Sequence, residues 1–341
     1  VGGYRFALRP TVAWSRRDHI ENYRWALSSI DPAAGRVLSG AFRASDDADV
    51  PYRLWLAKKP RGAILLLHGC CDYSGAFDDI APKLVQRGFS CMAYDQRGFG
   101  ATASRGQWTS RERYAQDVRD GVAFFRTRLD AGIPLFIVGE SMGGSVAVHA
   151  AASQPHLDLS GIVLVAPGAL ASALRNRFYN WLMTLLGLIA GKSEIVVERN
   201  DASELAPSAA IRLLGDPMVM QAIRADLLAG VIAMGYSAVD AAKSVTVPSL
   251  TMLAGKDDLL RGACVRQLYE NLGGEKDWLT LKNGPHLLLH WEHGGVVLRR
   301  ARRWIERQMA RRMAAAVEIP ANSNAAKEDH FPASSVNLLT R

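Results

Sequence analysis

Apolar residues along this chain fall into short runs. Each is followed by a glycine-rich bend and then by a stretch in which apolar and polar positions recur at helical spacing. From about residue 40, AFRAS (41–45) and YRLWLA (52–57) alternate apolar with polar positions on either side of Asp46, Asp47 and Asp49, which predicts an antiparallel hairpin. AILLL (63–67) is apolar throughout, as a strand covered on both faces must be. Comparable runs follow at 89–94 (FSCMAY), 134–138 (PLFIV), 161–166 (GIVLVA), 249–254 (SLTMLA) and 278–281 (WLTL). Helical segments are predicted between them, near 76–87, 112–130, 144–153 and 261–272. Strands alternating with helices predict a mostly parallel sheet wrapped on both sides, with ligand sites at the carboxyl ends of the strands.

The alternation lapses between about Pro167 and Pro248, a stretch too long for a crossover. It reads as several helices, among them FYNWLMTLLGLIAG (178–191) and DPMVMQAIRADLLAGVIAMG (216–235). The expected organisation is an N-terminal extension (1–39), a core in two pieces (40–166 and 249–317), an inserted helical cap (167–248) and a polar, aperiodic, flexible tail (318–341).

Composition sharpens this only in places. With 341 residues and 49% apolar content the chain can fill a large core. The formal charge of +8 is concentrated between Arg299 and Arg312, where arginines 299, 300, 302, 303, 307, 311 and 312 face the single acid Glu306. Such a helix can meet anionic lipid, although a basic face is more often simply solvated. No helix-turn-helix, zinc-finger or RNA-binding signature accompanies it, so nucleic acid is not an expected partner. Cys70, Cys71, Cys91 and Cys264 form no CxxC pair or disulfide framework, which predicts reduced thiols and a cytoplasmic setting. The first residues lack the apolar core of a signal peptide. The longest mainly apolar run, 178–191, has about 14 residues, whereas crossing a bilayer takes roughly 20. Membrane contact is therefore expected only as a peripheral one, through the cap or the arginine-rich helix.

Chemistry enters with Gly139-Glu140-Ser141-Met142-Gly143-Gly144, which follows one predicted strand and opens a helix of small residues. G-x-S-x-G alone is a weak pattern, but strand, sharp turn and helix give it a frame. Ser141 is the candidate nucleophile, and Gly139 and Gly143 let so tight an elbow form without collision. Such a serine needs donors for an oxyanion, and the backbone N–H groups of Met142 and Cys70 are the candidates. A thiol nucleophile at Cys70 or Cys71 is the rival, although neither sits on an elbow. NGPHLLLHWEH (283–293) places His286, His290 and His293 close together. That is a metal site, one base with two bystanders, or the histidine-rich start of an ordinary helix, and neither cysteine partners nor HExxH support the metal.

HGCCDYSG, YDQRGFGAT, GESMGG, AGKDDLL and GPHLLLHWE, in this order, resemble the α/β-hydrolase superfamily over roughly residues 40–317. The nearest resemblance is to the monoacylglycerol lipase and lysophospholipase group, catalogued with serine aminopeptidase-like hydrolases. It implies an α/β fold with a mostly parallel eight-stranded sheet, flanking helices and an inserted helical cap. It also implies the chain order serine, acid, histidine. The family's glycine, two residues, aspartate motif lands on Asp258, with Asp257 as the alternative. His286, on the loop past a strand end, is then the base, with His290 and His293 as bystanders. The resemblance makes the Asp95–Gly98 loop structural, with Asp95 and Arg97 holding it, and His68 and His149 carry no expected role. Two departures are Cys70-Cys71, where the family has a small residue and glycine, and Asp72-Tyr73, where it has glutamate and histidine.

The implied reaction is acyl transfer from a carboxylic ester to water through an acyl-serine, with no metal or organic cofactor. A monoacyl lipid, monoacylglycerol or lysophospholipid, is the expected substrate. Trp181, Leu182, Met183, Leu185, Leu186, Leu188 and Ile189 give the cap more apolar surface than one helix stripe needs. The cap is expected to shape an acyl channel, the alternative being that these residues only pack it onto the core. A small-ester carboxylesterase, a peptidase and a non-catalytic lipid or membrane-surface binder are the alternatives.

Overall fold

Gly62–Leu67 is buried at every position, and so are Phe89–Tyr94, Leu135–Glu140 and Gly161–Val165. Strands without a polar face need cover on both sides. A computed structural model of the chain, which describes residues 6–9, 37–170, 191, 193–197 and 202–317, shows how that cover is supplied. The strands are β1 (Phe6–Arg9), β2 (Val37–Arg43), β3 (Asp49–Trp55), β4 (Gly62–Leu67), β5 (Phe89–Tyr94), β6 (Leu135–Glu140), β7 (Gly161–Val165), β8 (Glu194–Val197), β9 (Ala222–Arg224), β10 (Ser249–Ala254) and β11 (Lys276–Leu281). Eight form one sheet in the order β11-β10-β7-β6-β4-β5-β3-β2. β3 pairs antiparallel with β2 and with β5, and every other pairing is parallel. The chain passes from β4 to β5 on one side and then returns to place β6 on the other. That reversal opens a crevice at the carboxyl ends of β4 and β6.

The helices are α1 (Ala81–Val85), α2 (Arg111–Arg126), α3 (Met142–Ala152), α4 (Pro207–Gly215), α5 (Ala225–Ala241), α6 (Gly262–Asn271) and α7 (Gly294–Val317). Alternate residues of β4 point to opposite faces, so Leu65 and Leu67 join one apolar layer and Ile64 and Leu66 the other. The first layer packs against α2, α3, α5 and α6 through residues such as Phe125, Val146, Ala238 and Leu268. The second packs against α1 and α7 through Leu84, Trp304 and Ile305. Ser110 caps α2, its Oγ accepting the Arg113 N–H at 3.1 Å. Such a cap contributes about 1 kcal/mol.

The chain between the two halves of the sheet differs from a purely helical cap. β8 pairs with β9 and with β1, the latter drawn from the N-terminal extension, to make a second, three-stranded antiparallel sheet. The large sheet begins at Val37, three residues inside the stretch expected to be extension. α5 falls within the expected cap, yet Ala238 and Val239 near its end are buried in the first core layer. Ala225–Ser244 is long and apolar enough to cross a membrane by length and composition. Here that apolarity faces the protein interior and, as described below, a cavity. Residues Trp181 to Ile189 of the cap, which is expected to shape an acyl channel, and the tail beyond Val317 lie outside the described residues.

The arginine-rich stretch forms α7, and much of its charge is met locally. Arg302 pairs with Glu306, Arg307 with Asp277, Arg311 with Glu275 and Arg312 with Asp158. Glu306 also pairs with Arg61.

Candidate active site

β6 ends at Glu140 and α3 begins at Met142, so Ser141 alone makes the corner, with φ 53° and ψ −119°. A non-glycine residue in this conformation is strained by roughly 1–3 kcal/mol, and the surrounding packing has to hold it there. The flanking glycines show how tight the corner is. A Cβ on Gly139 would lie 2.3 Å from the Gly143 carbonyl oxygen, and one on Gly143 would lie 2.2 Å from the Leu67 oxygen. A side chain at Gly139 would force β6 and α3 apart, and one at Gly143 would push the elbow away from the end of β4.

His286 follows β11 on a loop and reaches this corner. Its Nε2 is 2.8 Å from Ser141 Oγ, and its Nδ1 is 2.8 Å from Asp257 Oδ2. A carboxylate only accepts, so Nδ1 carries the hydrogen, and Nε2 is left to accept the serine O–H. Asp257 Oδ1 accepts the N–H groups of Leu259 and Leu260 at 2.9 and 2.8 Å, which fixes the carboxylate plane. The side chains of His286 and Asp257 are only 5% and 3% exposed, so water competes little with this chain of hydrogen bonds. The acid that meets His286 is thus Asp257 and not Asp258, whose residue is exposed. The physical reason is that β10's pairing continues past its end. Gly255 N–H donates to Leu281 O and Lys256 N–H to Gly284 O, so Asp257 is the first residue to leave the ladder beside the histidine loop.

The two remaining histidines of the cluster part company. His293 is 61% exposed and packs edge-on against Trp291. His290 is buried, its Nε2 3.4 Å from Glu140 Oε2. Burial, helped by the charge of Arg212, pushes its pKa down to about 4. Among the described residues no three His, Cys, Asp or Glu side chains converge as a metal site would require. His68 and His149 are held by local partners: His68 accepts the Gln96 N–H, and His149 contacts Met234 O and Ser237 Oγ. Asp95 holds its loop by accepting the Ser74 and Ala101 N–H groups, while Arg97 pairs with Asp117 and Asp46.

Glu140 was not among the expected site residues. Its side chain is 2% exposed, and Oε1 accepts the Leu289 N–H at 2.7 Å, which ties the histidine loop to the elbow. Burial pushes its carboxyl up to about 7, against the opposing pull of the Leu289 N–H and of His286. The signal for it was visible: an acid closing an otherwise apolar strand has to find a buried partner. Asp72 is also buried. Burial works against its charge, but the paired Arg212 guanidinium from α4 prevails and holds the carboxyl below its ordinary range. Tyr73 beside it donates to Asp216 at 2.6 Å. These contacts seat α4 and the 216–219 turn on the loop after β4, with Leu205, Leu213 and Val219 packed around Tyr73.

Ser141 and His286 open onto a cavity of about 550 Å³. Its polar end carries Gly69, Cys70, Asp72, Glu140, Ser141 and His286. Its walls are apolar, made by Ile195 and Val197 of β8, Ile223 of β9, Leu228, Val231 and Ile232 of α5, and Leu259 and Leu287. Cys70 and Met142 both border it beside Ser141. Met142 is the first helical residue of α3, and its N–H has no acceptor within the helix. The loop before Cys70 runs so close that a Cβ on Gly69 would lie 3.4 Å from the Cβ of Ser141.

The model of the family described as serine aminopeptidase, S33 matches residues 58–292. A monoacylglycerol lipase of Mycolicibacterium smegmatis is 26% identical over 245 residues, 69% of this chain and 84% of the relative. A monoglyceride lipase of Rattus norvegicus is 24% identical over 272 residues, 74% of this chain and 84% of the relative. Among solved structures, that of the Paleococcus ferrophilus monoacylglycerol lipase superposes with a TM-score of 0.64 at 23% identity. It covers 76% of this chain and 99% of its own, and at that identity it bears on the fold alone.

Proposed function

We propose that this chain, which belongs to the serine aminopeptidase (S33) family of α/β-hydrolases, is a carboxylic ester hydrolase acting on single-chain lipid esters. The observation that carries the reading is the hydrogen-bonded series Asp257–His286–Ser141, which ends at an apolar cavity. The lipase relatives support the same substrate class.

In this reading the acyl chain lies along the β8, β9 and α5 walls, where burial of each methylene contributes about 0.8 kcal/mol. The ester carbonyl then sits over Ser141. His286 takes the serine proton as the oxygen attacks, and Asp257 holds the imidazole in the required tautomer and stabilises its cation. The N–H groups of Met142 and Cys70 receive the oxyanion, each worth roughly 3 kcal/mol in the transition state. His286 returns the proton to the departing alcohol and next activates water to release the fatty acid. In this reading the departing alcohol leaves past the polar end of the cavity, where the hydrogen-bonding groups of Asp72 and Glu140 suit a hydroxylated leaving group such as glycerol.

A fluorophosphonate should label the protein at Ser141, and Ser141→Ala should lose labelling together with roughly 10⁴-fold or more of ester hydrolysis. Turnover of monoacylglycerols should rise with acyl length to a medium or long chain. A flat or falling profile would leave hydrolysis intact but remove lipids as substrates. One other reading has support on the same site. Glu140 borders the cavity beside Ser141 and offers a carboxylate to a substrate ammonium, as an aminopeptidase requires, whereas Asp72 is already paired with Arg212. Hydrolysis of aminoacyl arylamides faster than of lipid esters would favour it.

A further inference from the structure

The loop after β4 carries two adjacent thiols where the oxyanion would form. Cys70 and Cys71 both border the cavity, with their Sγ atoms 3.7 Å apart. Cys70 is partly accessible and Cys71 is buried. Cys71 has φ 66°, a left-handed backbone that residues other than glycine, asparagine and aspartate seldom adopt. Its carbonyl accepts the Met220 N–H at 2.9 Å, so this turn is anchored to the chain leading into β9. A change in the bond between these two residues therefore acts on the oxyanion loop directly.

The geometry points to Cys70–Cys71 as a peroxide-sensitive switch: oxidation closes a vicinal disulfide and turns the hydrolase off. The inference rests on the proposed role of the Cys70 N–H in binding the oxyanion. The Cys70 thiolate, the more accessible of the two, attacks a peroxide oxygen. The S–O bond forms, the O–O bond breaks, and water or an alcohol departs, leaving a sulfenic acid. Cys71 then attacks that sulfur, the S–S bond forms, and the hydroxyl leaves as water with the Cys71 proton. Two thiols have lost two electrons and two protons, and the peroxide has been reduced. Adjacent Cα atoms lie 3.8 Å apart, short of the roughly 4.4–6.8 Å usual for disulfides. The ring is consequently strained, and strained disulfides are readily reduced. Closing the sulfurs from 3.7 Å to about 2.05 Å twists the backbone dihedrals at Cys70, and through them the Gly69–Cys70 peptide whose N–H receives the oxyanion.

The test uses the full chain in reduced form, treated with hydrogen peroxide, cleared of it with catalase, and then given dithiothreitol. Ester hydrolysis should fall about 100-fold, as for loss of one oxyanion donor. The tryptic fragment 62–83 should become lighter by two hydrogens, and dithiothreitol should reverse both changes. Cys71→Ser, compared with its own reduced form, should be inactivated without recovery, because an unresolved sulfenic acid proceeds to the sulfinic acid. Cys264→Ser should behave as the parent does. Three results would overturn the switch: no loss of two hydrogens in that fragment, ring closure without loss of activity, or equal reversible inhibition in Cys70→Ser/Cys71→Ser relative to its reduced form. Absence of ester hydrolysis in the reduced parent would instead overturn the hydrolase reading, and the switch with it, whatever the fragment masses show.

Discussion

Two consecutive aspartates stand in the turn after β10, and only Asp257 faces His286, its other carboxylate oxygen accepting the Leu259 and Leu260 N–H groups. The hydrogen bonds of Gly255 and Lys256 to the 281–284 segment fix where that turn begins, which leaves Asp257 inward and Asp258 exposed to solvent. Asp257→Asn should lower kcat/KM for a lipid ester by about 10³–10⁴-fold through loss of the tautomer hold. Asp258→Asn should change it by no more than about twofold, as expected of an exposed side chain. Steady-state kinetics of both variants on one ester decide the matter, and comparable damage at the two positions would refute the assignment. In the sequence these residues are identical in type and adjacent. A register of one residue depends on hydrogen bonds to the distant segment 281–284, so it could not be read there. Ser141 is the opposite case. Its flanking glycines are demanded by contacts within β6, α3 and β4, and their signature is local enough to be read from six letters.

At the scale of elements, the core strands were legible because burial on both faces selects runs that are mostly apolar. Phe89–Tyr94 and Ser249–Ala254 are mainly apolar, with only the small hydroxyls of Ser90, Ser249 and Thr251 among them, and coincide with the expected strands. The second sheet was not legible. β8 and β9 are four and three residues long and only partly buried, and their pairing joins segments far apart in the chain. α5 shows why a boundary drawn by composition misplaces function. Its end packs in the core through Ala238 and Val239, while Leu228, Val231 and Ile232 wall the cavity. One apolar helix serves both, and apolarity alone does not tell a packed face from a ligand-lining one. Val231→Trp should fill part of the cavity. Across a series of nitrophenyl esters, kcat/KM for long acyl chains should fall about tenfold or more, with acetate changed by about twofold at most. An unchanged profile would mean that the acyl chain lies elsewhere.

Over the whole molecule, the buried pair Glu140 and His290 links elbow, histidine loop and insertion, since His290 O also accepts the Ala206 N–H. Other charges facing the pair are Asp72, Arg212, Asp79 and His286. Their titrations act on stability with opposite signs. Glu140 is raised from 4.5 to about 7, so the folded state holds the extra proton, and stability falls as pH rises through that interval. His290 is lowered from 6.5 to about 4, so the unfolded state holds the extra proton, and stability falls as pH drops through that one. The two slopes oppose each other between about 4.5 and 6.5. Glu140→Gln, which keeps an acceptor for Leu289, should remove one of them. Its denaturation midpoint, followed against pH, should climb more steeply than the parent's from 4.5 to 6.5 and should not decline toward 7. Parallel curves would show that Glu140 ionises normally. The alternation of apolar runs with amphipathic stretches, and the glycines about a lone serine, were sufficient for the sheet, its helical cover and the elbow, because burial and steric exclusion act on neighbours in the chain. Which aspartate meets the histidine depends on a loop 29 residues away, and which backbone group satisfies Glu140 and which residues wall the cavity depend on segments brought together across more than a hundred residues. Those contacts exist only once the sheet has assembled, and no local pattern of residues encodes them.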